Sequence, residues 1–273
     1  MGATALATKG PVSELLQQFS ALPTFVDTGG FEAVLSPHLT IHDRRTRKGA
    51  PVGSSTLLVA RMQELAAQGR GALSLELMAV RGDRLAMARG SSLRSDGSLS
   101  TNLTVTELSD GGEIVTLAFH DVDDVSGAVR SMVELYIESL DPGRAATMLA
   151  AATLMHALAT KAFETASALF ADDLRLVDFR ESPAFEADTD SVREGIDIIL
   201  DDDEIIDFVR EVPRVTERGL VVTRAQLAPD TLEVIGSEVV LIGVRGGKVD
   251  IVEVRETHGL EAALARLAEL TEG

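Results

Sequence analysis

Cysteine and tryptophan are absent from the 273 residues, and tyrosine occurs once, as Tyr136. Without cysteine the chain can form neither a disulfide nor a thiolate metal site. No run of eighteen apolar residues occurs, so no membrane-spanning helix is expected. The opening residues, MGATALATKG, lack the basic-then-apolar layout of a secretory signal, and Leu6 stands where a myristoylation signal needs Ser or Thr. The expectation is therefore a cytoplasmic protein. Positive charge is also in short supply. The net charge of −18 repels phosphate backbones, which argues against a nucleic-acid partner. The deficit is uneven, at −4 over residues 1–140 and −14 over residues 141–273. The five histidines, at 38, 42, 120, 156 and 258, show no zinc-binding spacing, so neither a metal nor a cofactor is expected.

What is present is a repeat. LTIHDRRTR, 39–47, and LRLVDFRES, 174–182, match at a shift of 135 positions: Leu39 falls on Leu174, Ile41 on Leu176, Asp43 on Asp178 and Arg45 on Arg180. Val80, Leu85 and Arg89 fall on Val215, Leu220 and Arg224, and Gly111-Gly112 falls on Gly246-Gly247. One gapless register carries strand alternation, turn glycines and helix spacing together. This predicts a tandem duplication with units over 1–140 and 145–273, joined by the linker SLDPGRA with Pro142 and Gly143 as breakers.

Each unit has the same order. A helical stretch comes first, VSELLQQFSAL in one unit and the run from Ala146 to Phe170 in the other. A short strand follows, ending at Asp43 or Asp178, and then a helix near 54–68 or 190–200. In the first unit, strands are predicted near 72–80, 84–93, 100–108 and 113–120. A closing amphipathic helix carries apolar residues at 125, 128, 129 and 132. The fold class is α+β: two tandem cone-shaped units, each a curved antiparallel sheet with helices packed on one face.

Alternate side chains of a strand face opposite sides. Asp43 shares parity with Leu39 and Ile41, and Asp178 with Leu174 and Leu176, so both carboxylates should face the apolar side. By the same parity Arg89 goes with Leu85 and Met87, and Arg224 with Leu220 and Val222. Each unit is thus expected to place one Asp and one Arg on its inner face, either as a ligand-binding pair or as a structural ion pair. Glu76 has the outward parity of its strand, as do His42 and His120 of theirs. The basic run RRTRK, 44–48, reads as a solvated loop or as a contact for an anionic ligand, with Arg45 as the candidate, or for the acidic second unit. The acidic run DDDE, 201–204, lacks the spacing of a calcium loop and reads as a solvated helix end.

FEAVLSPHLTIHDRR, LELMAVRGDRLAMAR and SDGGEIVTLAFHD, with the closing helix, resemble the nuclear transport factor 2-like superfamily. That cone fold is shared by SnoaL-like polyketide cyclases, ketosteroid isomerases and scytalone dehydratases, and the chain looks most like bacterial versions fused behind regulatory proteins. In the superfamily an Asp near the end of the first strand often faces the pocket and can act as a base. The resemblance puts Asp43 and Asp178 in that place. It departs from the catalytic pattern in lacking Tyr, Trp or His partners that would stabilise a developing enolate.

Two classes of function follow. One is a non-catalytic module that binds an apolar small molecule or a protein, with Asp43, Arg45, Arg89, Asp178 and Arg224 as candidate contacts. The other is a lyase, isomerase or hydrolase using Asp43 or Asp178 as catalytic base. Because members of the superfamily often pair through their sheets, the resemblance also implies a pseudo-dimer within one chain, which would leave the protein monomeric.

Overall fold

The computed structural model describes residues 14, 32–46, 54–67, 73–93, 96–199, 206–228 and 232–272. Apart from Glu14, the predicted helix VSELLQQFSAL lies outside them, and so does the DDDE run. The chain falls into two compact units, 1–136 and 137–273.

Unit 1 contains β1 (Leu35–Asp43), α1 (Ser55–Ala67), β2 (Leu73–Arg81), β3 (Leu85–Leu93), β4 (Leu99–Leu108), β5 (Ile114–Asp121) and α2 (Val125–Glu138). These elements match the predicted ones to within a few residues. Strand order is β1-β5-β4-β3-β2. The four meander strands are antiparallel as expected, but β1 joins parallel to β5, with Ile41 opposite Leu117 and Asp43 opposite Phe119. Parallel neighbours need a long connection, here α1 with β2–β4, and the pairing of strands so far apart in the chain is not revealed by the strand pattern alone.

One face of this sheet builds the unit's apolar cluster. Leu35, Leu39, Val80, Ala86, Ala88, Leu108, Ile114 and Leu117 meet Leu58 and Val59 of α1, with Ile41, Leu75, Leu77 and Phe119 at the margin. The other face of β5 meets α2 through His120, which has the outward parity expected but is fully buried. Its Nδ1 lies 3.0 Å from Asp124 Oδ2 and its Nε2 3.0 Å from Ser131 Oγ. Asp124 also accepts from Gly127 N at the start of α2 (3.0 Å). Although Ser, His and Asp are aligned in series, Ser131 is itself buried. The set therefore works as a pin between strand and helix.

Unit 2 contains α3 (Pro142–Ala159), α4 (Phe163–Leu169), β6 (Phe170–Asp178), β7 (Phe185–Asp188), α5 (Thr189–Ile199), β8 (Ile206–Val215), β9 (Gly219–Leu227), β10 (Val234–Arg245), β11 (Lys248–Glu256) and α6 (Leu260–Glu272). Pro142 and Gly143, read as linker breakers, instead open α3: Asp141 caps it by accepting from Arg144 N at 3.0 Å, and Pro142 fills the first helical position, where no N–H is needed. The run read as one helix is two. Lys161 takes φ = 54° and ends α3, and α4 starts two residues later. Strand β7 was not anticipated; it pairs antiparallel with β6, Phe185 opposite Asp178. The strand order is β8-β9-β10-β11-β6-β7, again with a parallel pair, β6 beside β11.

Ala263 and Leu267 of α6 pack on Val221, Val239 and Leu241. The register puts Leu220, Val222, Val240 and Ile242 on the opposite face, together with Leu176 and Asp178. The α+β class and curved sheet stand; in unit 1, α1 and α2 pack on opposite faces of the sheet.

The hairpins before the last strand differ by one residue. In unit 2, Arg245 pairs with Lys248 across Gly246 and Gly247, whose φ values of 59° and 76° suit a two-residue turn. In unit 1, Ser109 N donates to Glu113 O across three residues, and only Gly112 of its two glycines has positive φ, at 82°. As a result Phe119 faces Thr104, whereas Val254, 135 positions on, faces Val240, which is 136 beyond Thr104. The side chains of β3 and β4 therefore reverse sides relative to β9 and β10 under the 135 shift.

Replacing His120 with Ala leaves the buried Ser131 hydroxyl without its acceptor and opens a void. The expected loss is about 2–4 kcal/mol in urea unfolding followed by circular dichroism. A loss below about 0.5 kcal/mol, the range of a neutral surface change, would remove the pin.

Candidate functional site

In unit 1 the end of β1 brings Asp43 to the cluster face, opposite Phe119. Its partner is Arg45, two residues on. Arg45 Nε donates to Oδ1 at 2.8 Å, Nη2 to Oδ2 at 2.7 Å, and the Arg45 backbone N to Oδ1 at 3.2 Å. The guanidinium also lies over the Phe119 ring, 5.3 Å from its centroid. The Asp43 carboxylate, acting mainly through its hydrogen bonds, raises the pKa of Arg45 above its ordinary value. Asp121 accepts from Thr46 N at 2.6 Å and from Thr46 Oγ1 at 2.5 Å. These bonds hold its carboxyl below the usual range.

Arg89 is placed elsewhere. It sits opposite Glu76 across β2 and β3 and donates through Nε to Glu76 Oε2 at 2.9 Å, with Nη2 on the same oxygen. Ala86 and Ala88 face the cluster that Ile41 joins, so Arg89 lies on the opposite face from Asp43, together with Glu76. The outward parity read for Glu76 agrees with its position. The inward reading of Arg89 does not, because β3 is buried on both faces: Leu85, Ala86, Met87 and Ala88 are all 4% exposed or less. A strand buried on both sides carries no parity signal.

Unit 2 gathers more charge at the corresponding end. Arg180 clamps Asp178 as Arg45 does Asp43, with Nε to Oδ1 at 2.9 Å, Nη2 to Oδ2 at 2.6 Å and the backbone N to Oδ1 at 2.9 Å. Arg180 Nη1 then reaches Glu238 Oε2. The other oxygen, Oε1, meets Arg224 Nη2 in an ion pair. Glu238 is 5% exposed and lies directly across the ladder from Arg224. Asp178 and Arg224 are therefore brought together, but through Arg180 and Glu238. Arg180 holds the Asp178 carboxyl below the usual carboxylate range, chiefly by its side-chain hydrogen bonds. Arg180 is correspondingly raised, by its bonds to Asp178 and by the charges of Glu238 and Glu256.

Sequence reasoning singled out Asp178 and Arg224 but not Glu238, and it gave Arg180 no role. The signal for Arg180 was in plain view, since Asp-x-Arg recurs as a unit. At a strand end, this spacing lets the backbone N–H and the guanidinium of the third residue return to one carboxylate. Glu238 left no such trace, because the shift of 135 sets it against Leu103. In the fold its counterpart is Asn102, which faces Asp121 as Glu238 faces Glu256.

Comparison with protein-family models gives no match, and neither does comparison with curated proteins. Solved structures give partial likenesses. An NTF2-like protein of unknown function from Mesorhizobium loti is 21% identical, with a TM-score of 0.33, over 40% of this chain and 89% of that one. A protein of unknown function with a cystatin-like fold from Nostoc punctiforme is 20% identical, with a TM-score of 0.32, over 39% of this chain and 85% of its own. An NTF2-like protein of unknown function from Cytophaga hutchinsonii is 12% identical, with a TM-score of 0.31, over 41% and 91%. These folds are the ones the sequence resembles, and likenesses at such scores carry no argument about activity.

The depressed pKa of Asp178 has a sign that can be measured. A carboxyl lowered in the folded state contributes stability that is present above its unfolded pKa of about 3.9 and lost as pH falls through the lower folded value. The stability difference between wild type and Asp178→Asn should be flat from pH 7 to 5 and shrink below about pH 4. Urea titrations across that range check it; a difference that grows on acidification would mean that Asp178 is raised instead.

Proposed function

We propose that the chain is a non-catalytic module that binds an apolar small molecule or a protein partner, built from two tandem SnoaL-like units over 1–140 and 145–273. The observation that carries this reading is the clamp on each recurring aspartate. A general base works best with a pKa near the working pH. Asp178 is pushed the other way by Arg180, and Asp43 is held by the same bidentate geometry. The Arg180 clamp on Asp178 supports a structural part for that carboxylate over that of a base. The apolar side chains beside the clamps also support the reading: Ile41 and Phe119 in unit 1, and Leu176, Val252 and Val254, all half-buried, in unit 2. Such surfaces suit an aliphatic ligand better than a stacked aromatic one. The net charge of −18 leaves nucleic acid out of the reading, and no described helix is long and apolar enough to cross a membrane.

The test is a thermal-shift screen of wild type, Asp43→Asn and Asp178→Asn against lipophilic acids, ketones and epoxides. Binding raises the melting temperature by mass action. The expected outcome is a set of stabilising compounds that mass spectrometry recovers unchanged after prolonged incubation. Conversion of a compound by wild type, lost in either Asn variant, would replace the reading with an enzyme that uses that Asp as base.

A further inference from the structure

The charge cluster of unit 2 goes further than a clamp. Glu238 is a buried carboxylate held the way a protein holds a ligand acid: each oxygen is met by a different guanidinium, Oε2 by Arg180 and Oε1 by Arg224. Paired arginines recognise a carboxylate through short charge-assisted bonds. Asp178 fixes the plane of Arg180 with Nε and Nη2, leaving Nη1 turned to Glu238. Asp178 is thus a positioning residue for that arginine.

The surroundings suit an amphiphile. On the face that carries Asp178, Arg224 and Glu238, the next side chains inward are Leu176, Val222, Val240 and Val254. Val222 and Val240 are buried, but Leu176, Val252 and Val254 are only half-buried, so apolar surface stays open beside the charges. Phe185, directly across from Asp178 on β7, is 54% exposed. Unit 1 lacks this arrangement. The residue that corresponds to Glu238 is Asn102, and the one paired with Asn102 on β3, where Arg224 stands on β9, is Gly90.

We propose that Arg180 and Arg224 form a carboxylate-binding site, which the chain fills with its own Glu238, and that the ligand class that replaces it is a monocarboxylate with an aliphatic tail. The tethered glutamate is the competitor. Being intramolecular, it is present at high effective concentration and keeps the site occupied. Removing it empties a site whose two cations, orienting aspartate and apolar floor all remain. This inference stands on unit 2 alone and does not depend on whether unit 1 takes a ligand.

Isothermal titration calorimetry of the full chain with octanoate, and with octanol as the uncharged control, tests it. Wild type, Glu238→Ala, Glu238→Gln and Glu238→Ala/Arg224→Met are compared. Octanoate affinity should rise on the order of tenfold in Glu238→Ala, rise less in Glu238→Gln, whose amide still occupies part of the site, and fall back in the double variant. Octanol affinity should stay level. If Glu238→Ala fails to fold, the near-isosteric Gln variant decides the question. The proposal is overturned if folded Glu238 variants bind octanoate no better than wild type, if the gain survives loss of Arg224, or if octanol gains equally.

Discussion

Which meander residues join the clamped aspartate at each candidate site depends on which side of the strand they face, and that is set by hairpin length. The turn before β5 spans three residues and the turn before β11 spans two. With a period of two along a strand, one residue of difference turns every side chain of the preceding strand to the other face. Arg89 and Arg224 are 135 positions apart and look equivalent on paper. One lies against Glu76 on the face away from Asp43, while the other shares the face and the network of Asp178. The first strands, β1 and β6, escape the inversion because each is registered on the last strand of its own unit, Asp43 on Phe119 and Asp178 on Val254.

The Asp-x-Arg clamp is the chemistry that recurs in both units. It is local, needing only a strand end and a residue two positions on, so it does not depend on how the meander is registered. Its effect is to pair a carboxylate with a guanidinium beside apolar surface, where an unpaired one would be costly. In unit 2 the clamp extends to Glu238 and Arg224, which places a second carboxylate, 5% exposed, between two cations. One oxygen accepts a hydrogen bond from Arg180 and the other is ion-paired with Arg224, which offsets the cost of that burial.

Much of the fold was legible in the residues. The strand alternation, the turn glycines and the 125, 128, 129, 132 spacing of α2 located nearly every element of unit 1, because each is a local pattern with its own period. Failures came where a local pattern was silent or had two uses. Pro142 and Gly143 signal a break, yet proline also suits the first turn of a helix, and with Asp141 as cap that use prevailed. The apolar run from Ala146 to Phe170 shows no breaker, so the left-handed turn at Lys161 could not be seen. Strand β7, four residues long, has too little pattern to announce itself and exists by pairing with β6.

The candidate sites divide along the same line. Residue identity and local parity were enough to show that an Asp and an Arg recur two residues apart at the end of an apolar strand, that the Asp faces the apolar side, and that no thiol is available. That Arg89 belongs to Glu76, that Arg224 belongs to Glu238, and that Arg180 joins Asp178 to that second pair emerges from the folded sheet. Those pairings run between strands, and the register between strands is set by turn length and bulges, which no single stretch of residues encodes.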